Sequence, residues 1–173
     1  TNRSADVLAA VASVLARWLE NQQTPLADRR QINSALARLH AESGNPIVWS
    51  MIGPLEAIEA QSLVKRLTDI QADHTASTAS VPWRRVIANG VDSVVSLSPS
   101  KKAGGRTTWL ASIELSSAKP VEAQFLASVN GVFQVWLNGR SIFRRQKTAS
   151  FRPDADRFEG TLNAGTNSLL VRL

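Results

Sequence analysis

The sequence predicts a mainly β chain, an antiparallel β-sandwich over residues 45–173 preceded by an α-helical hairpin over residues 1–44. Three features predict it. Val121 to Val129 and Val132 to Leu137 are runs rich in β-branched and aromatic residues separated by Asn130-Gly131, and Asn138-Gly139 leads on into Ser141-Ile142-Phe143. Asn-Gly between apolar runs favours a type I′ turn, which needs positive φ at both central positions, so two consecutive hairpins are expected. Phe125, Ala127 and Val129 then share one face of their strand, and Phe133, Val135 and Leu137 one face of the next. Before residue 44 the apolar period lengthens to that of helices.

In chain order, Val7, Val11, Val14 and Trp18 stand at i, i+4, i+7 and i+11, with Leu8, Leu15 and Leu19 beside them, on a good helix-forming background. A second helix starts at Thr24 as N-cap with Pro25 in its first turn, buries Ile32, Ala35, Leu36 and Leu39, and stops at Gly44. A lone hairpin cannot cover its own apolar stripe. It either packs on the β domain or ends an array of helical repeats, and the array is the preferred reading.

Ile47, Trp49 and Met51 alternate with Val48, Ser50 and Ile52 between Pro46 and Gly53-Pro54, which predicts the first strand of the sheet. Residues 55–70 space Ile58, Leu63, Val64, Leu67 and Ile70 as a short helix, and residues 71–80 are a polar loop. Trp83 to Ala88 and Val91 to Leu97 read as strands around Asn89-Gly90. Residues 98–106 read as a basic turn and Thr107 to Leu115 as a further strand. Gly165 and Asn167 shape the last turn before Leu169, Leu170, Val171 and Leu173 enter the core.

Composition narrows the function classes. A chain of 173 residues with 43% apolar content can bury a substantial core. Without cysteine it has neither disulfides nor thiolate chemistry. No run approaches the roughly 18 apolar residues of a membrane span. The opening TNRSAD has no initiator Met and no apolar signal core, as expected of a piece of a larger protein. Twenty basic side chains against fourteen acidic, net +6, permit attraction to polyanions without requiring it.

Catalytic and metal chemistry find no constellation. The two histidines, His40 and His74, stand in no metal-ligand spacing, and there is no Gly-x-Ser-x-Gly elbow, phosphate-cradling glycine loop or haem-attachment cysteine pair. Asp154 and Asp156, at i and i+2 around a proline turn, are expected to cap backbone groups, and Glu114, Glu122 and Glu159 to face outward. No enzyme activity, metal or cofactor is expected.

The combination of Trp49-x-x-Ile52-Gly53-Pro54, Trp83-Arg84, Val135-Trp-Leu-Asn-Gly139, Pro153-Asp-Ala-Asp156 and Gly165-Thr-Asn-Ser-Leu-Leu-Val-Arg-Leu173 resembles the galactose-binding-like jelly-roll modules of large exported bacterial proteins. The resemblance covers about Pro46 to Leu173. It implies a non-catalytic, carbohydrate-binding-like accessory module, periplasmic or extracellular, of a large multidomain parent; some such parents carry helical repeats ahead of the module and dehydrogenase or cytochrome domains elsewhere, and the helical hairpin fits that arrangement. The chain departs from the pattern at Leu55, where the family has Phe, and at Ser128 to Gly131, where related modules often carry an acidic pair before Gly.

The candidate ligand-binding residues are Trp136, Asn138, Arg140, Arg144, Arg145 and Arg152. Together with Lys147 and Arg157 the arginines could line one sheet edge and hold carboxylate or sulfate groups of an acidic oligo- or polysaccharide, because guanidinium presents a bidentate fork to planar anions. The simpler reading, and the preferred one, is that basic side chains on an edge strand discourage edge-to-edge pairing. Trp136 points away from the Phe133-Val135-Leu137 face, so it is either covered by another element, the preferred reading, or exposed as a stacking platform. Trp18 belongs to the helical stripe, whereas Trp49, Trp83 and Trp109 read as core or domain-junction residues. Phe143, Phe151 and Phe158 sit where a core wants them and form no platform for nucleic acid, which is not an expected partner. Neighbouring domains of the parent are expected partners. The rival function is a structural or protein-interaction module linking helical repeats to a catalytic or electron-transfer domain.

Overall fold

Strand follows strand through the second half of the chain because apolar residues recur there every second position, and the computed structural model has eight strands among its described residues, the first two of them earlier in the chain. It describes residues 3–21, 23–25, 27–29, 31–32, 35–36, 39, 46, 48–73, 81–88, 94–97, 107–152 and 154–173. The strands are β1 (Val48–Leu55), β2 (Arg84–Ile87), β3 (Thr108–Ser117), β4 (Val121–Ala127), β5 (Gly131–Leu137), β6 (Arg140–Ala149), β7 (Asp156–Leu162) and β8 (Gly165–Arg172). They form a six-stranded sheet in the order β2-β1-β3-β8-β5-β6 and a two-stranded sheet β4-β7. The pairs β1–β3, β3–β8, β8–β5, β5–β6 and β4–β7 are antiparallel, as expected of a β-sandwich. No helix among the described residues is long and apolar enough to cross a membrane.

The chain divides into two compact units, Thr1–Trp49 with Arg85–Ser98, and Ser50–Arg84 with Pro99–Leu173. In the first, helix Arg3–Glu20 is followed by helical residues at 27–29, 31–32, 35–36 and 39. Leu19, Ile32 and Leu36 are its buried core, with Leu15, Leu39 and Val48 packed against them. The 3.6-residue period places Leu15 and Leu19 on this inner face. It therefore turns Val7, Val11, Val14 and Trp18 outward, where all four are exposed.

In the second unit, helix Ala57–Asp73 lays Ala60, Val64 and Leu67 over Leu110, Trp136 and Leu170 of the large sheet. Ile58, expected on that buried face, is exposed instead, and the helix continues to Asp73 into what reads as a loop. On the opposite face of the sheet, Phe143 of β6 lies between Phe133 of β5 and Phe158 of β7, with ring centroids 5.2 and 4.7 Å from its own, and Phe158 stacks on Phe125 of β4 at 5.6 Å. Strand β5 is thus covered on both sides. Gly160 sits where the two sheets approach, and a Cβ there would lie 3.0 Å from Cδ2 of Leu137.

Asn138-Gly139 is the hairpin turn its dipeptide predicts, with φ of 50° and 79°, and β5 pairs with β6 across it. Asn130-Gly131 is not. Strand β4 pairs with β7, from Val121 opposite Leu162 to Ala127 opposite Asp156, so the chain crosses between sheets at residues 128–130. Asn130 lacks the positive φ of a type I′ turn, and Gly131, at φ 125°, opens β5 opposite Ala149. Strand β1 runs on through Gly53 and the cis Gly53-Pro54 bond to Leu55 rather than ending there. Of the strand expected over Val91 to Leu97, Val94 forms an isolated bridge and residues 95–97 are irregular. Ile47, Gly44, Asn89-Gly90, the 98–106 turn, Pro153, His40 and His74 lie outside the described residues.

Candidate functional site

The β5–β6 hairpin positions most of the candidate residues, and period-2 alternation sorts them. Register places Phe133 opposite Arg145, Val135 opposite Phe143 and Leu137 opposite Arg140, while Gln134 stands opposite Arg144 and Trp136 opposite Ser141. Directly opposed residues share a face. Arg140 and Arg145 therefore lie on the side of the two-stranded sheet, and Arg144 on the side of helix Ala57–Asp73. The basic run of the sequence is split between two surfaces, although β6 is the edge strand that its charges suggest.

Each candidate then has its own fate. Trp136 is covered, at 8% exposure, in the cluster beneath helix Ala57–Asp73, so it offers no ring face to a ligand. Arg145 turns inward. Its guanidinium pairs with the Asp156 carboxylate, donates to the carbonyl of Val129 and to that of Gly131 at 2.7 Å, and lies 4.9 Å from the centroid of Phe133. These contacts occupy the fork and tie the crossing at residues 128–131 to β6 and β7, so Arg145 is a staple rather than a ligand contact. Asp156, expected to cap backbone, is its counter-ion.

Asn138 is likewise committed. Its Nδ2 donates to Oδ1 of Asn167 at 2.8 Å, and its Oδ1 accepts from the Ser168 amide at 2.9 Å. Asn167, fully buried, also accepts from the Asn163 amide and donates to the carbonyls of Asn163 and Gly165. The two asparagines clasp the β5–β6 turn to the start of β8, a role that turn chemistry alone does not reveal. Arg152 is exposed, and its backbone amide donates to Ser128 Oγ at 3.1 Å. Phe151, expected in the core, is exposed. Glu114, Glu122 and Glu159 face outward as expected.

Where the hairpin turn meets the end of β7, a groove of about 460 Å³ opens. Leu137, Ile142 and Gly160 form its floor, and Arg140, Thr161 and Asn163 stand at its rim. The Arg140 side chain is exposed, and Arg145–Asp156 is the ion pair found among the described residues. Thr161 donates its hydroxyl to Glu122 at 2.7 Å. Of this groove the sequence indicated Arg140 and the Asn138 turn. Gly160, Thr161 and Asn163 escaped notice because they reach it only through the β4–β7 pairing. Among the described residues no three His, Cys, Asp or Glu side chains gather as a metal ion would require.

No family model and no curated protein match this chain. Solved structures do match. A β-glucuronidase of Faecalibacterium prausnitzii is 16% identical with a TM-score of 0.37, over 72% of this chain and 19% of that one. A β-glucuronidase of Ruminococcus gnavus, in complex with uronic isofagomine, is 10% identical with a TM-score of 0.36, over 73% and 19%. The chain therefore spans about a fifth of the length of these structures.

Proposed function

We propose that this chain is a non-catalytic, carbohydrate-binding-like accessory module of a larger exported protein, and that its groove takes an acidic sugar unit. The observation that carries the reading is Arg140, exposed at the rim of a groove with an apolar floor of Leu137 and Ile142. A guanidinium there offers its fork to a carboxylate or sulfate while the apolar floor meets the ring face of the sugar. The test is a glycan array of sulfated and uronic-acid polysaccharides at low and raised salt, with Arg140→Ala and Arg144→Ala. Selective binding lost in the Arg140 variant and kept in the Arg144 variant supports the groove. Binding that fades equally in both variants, or none across the array, sinks it.

A second reading, a module that docks helical repeats against a neighbouring catalytic or electron-transfer domain, draws on Val7, Val11 and Val14. These are exposed at i, i+4 and i+7 of the first helix, the spacing at which another helix packs.

A further inference from the structure

Trp18 is the tryptophan whose ring stands open to solvent. It is 59% exposed, whereas Trp109 and Trp136 are buried and Trp49 and Trp83 half-buried. It forms one wall of a hollow of about 520 Å³ at the turn that follows the first helix, within the range of small-ligand sites. Asn21, Thr24, Pro25 and Ile32 line it as well, and the side chains of Gln23, Asp28 and Gln31, all exposed, make no hydrogen bond among the described residues.

The turn beneath is held firmly. Thr24, the N-cap of the sequence reading, donates its hydroxyl to the Trp18 carbonyl at 2.6 Å, and its amide donates to the Asn21 carbonyl at 3.0 Å. Arg29 donates Nε to the Thr24 carbonyl and Nη2 to the Asn21 carbonyl, each at 3.0 Å. The Gln23 amide donates to Oδ1 of Asn21 at 3.0 Å. An indole beside a rigid turn, ringed by amides and a carboxylate, combines an apolar stacking face with hydroxyl-matching donors and acceptors. Asp28 is the charged side chain in the lining of the hollow, while the Arg29 guanidinium beside it keeps its charge and is turned to backbone carbonyls.

We propose that this hollow is a binding site for a neutral sugar ring, stacked on Trp18 with its hydroxyls bonded to Asp28, Gln23 and Gln31. The site belongs to the helical unit and does not rest on the groove at Arg140.

The test titrates the full chain with cellohexaose, mannohexaose, xylohexaose and maltohexaose, followed by calorimetry and tryptophan fluorescence. At least one is expected to bind saturably and perturb the emission. Trp18→Ala should weaken that binding at least about tenfold, about 1.4 kcal/mol. Because Trp18 is exposed and alanine is the better helix former, the fold should survive, as circular dichroism would verify. Asp28→Asn should weaken binding less, while Arg140→Ala and Val11→Glu should leave it unchanged. Absence of saturable binding to all four oligosaccharides overturns the proposal. So does full binding by Trp18→Ala, or an equal loss in Val11→Glu, which would mark the whole helix face as a protein-docking surface.

Discussion

Replacing Arg145 by alanine, beside the same change at Arg144, separates two neighbours of identical chemistry. Arg145 and Asp156 are 13% and 12% exposed as side chains, and the guanidinium also serves the carbonyls of Val129 and Gly131. Removing it leaves the Asp156 carboxylate and two carbonyls short of their donor at the crossing between the sheets. Loss of one partner of a buried pair costs about 3 to 5 kcal/mol, and the residual exposure puts this case near about 3. For a chain of this size that lowers the melting temperature by about 6 to 12 °C. Arg144, exposed on the other face, should change stability by less than about 0.5 kcal/mol. Urea unfolding followed by tryptophan fluorescence reads both, with the slope against denaturant unchanged. Arg145→Lys keeps the charge but cannot reach all three acceptors, so it should recover less than half of the loss. A double-mutant cycle with Asp156→Ala should return a coupling of at least about 1 kcal/mol. If Arg145→Ala unfolds within about 0.5 kcal/mol of Arg144→Ala, the staple does not exist and Arg145 returns to the list of ligand contacts.

Two more substitutions probe the frame of the large sheet. Asn167→Ala deletes four hydrogen bonds from a fully buried side chain, and since Asn163 and Gly165 are exposed enough to turn to water, the expected loss is about 2 to 4 kcal/mol in the same urea assay. Gly53→Ala places a Cβ 2.7 Å from the ring of the buried Trp109 at a φ of 147°, which should cost about 2 to 4 kcal/mol through overpacking and backbone strain and shift the near-ultraviolet circular dichroism of the tryptophans.

Much of the chain was set by its local pattern. The helical period before residue 40, the helix from Ala57, the strands β1 to β6 and β8 and the Asn138-Gly139 turn follow from apolar spacing and from the φ values that Asn-Gly tolerates. These depend on a residue and its near neighbours, so the sequence carries them openly. Partnership across distance is different. Asn130-Gly131 has the same letters as the true turn, yet β4 pairs with β7, where its half-buried Phe125 stacks on Phe158, rather than with β5. Trp136 was either a platform or a covered residue until helix Ala57–Asp73 was placed over it. The run of arginines looked like one basic surface, but alternation along β6 sends Arg144 to one face and Arg145 inward to an aspartate eleven residues on. The sequence by itself determined most of the segments that are helix and strand and most of their apolar faces. Only the tertiary structure decided what covers each face, because burial and ion pairing arise from elements brought together by long-range packing.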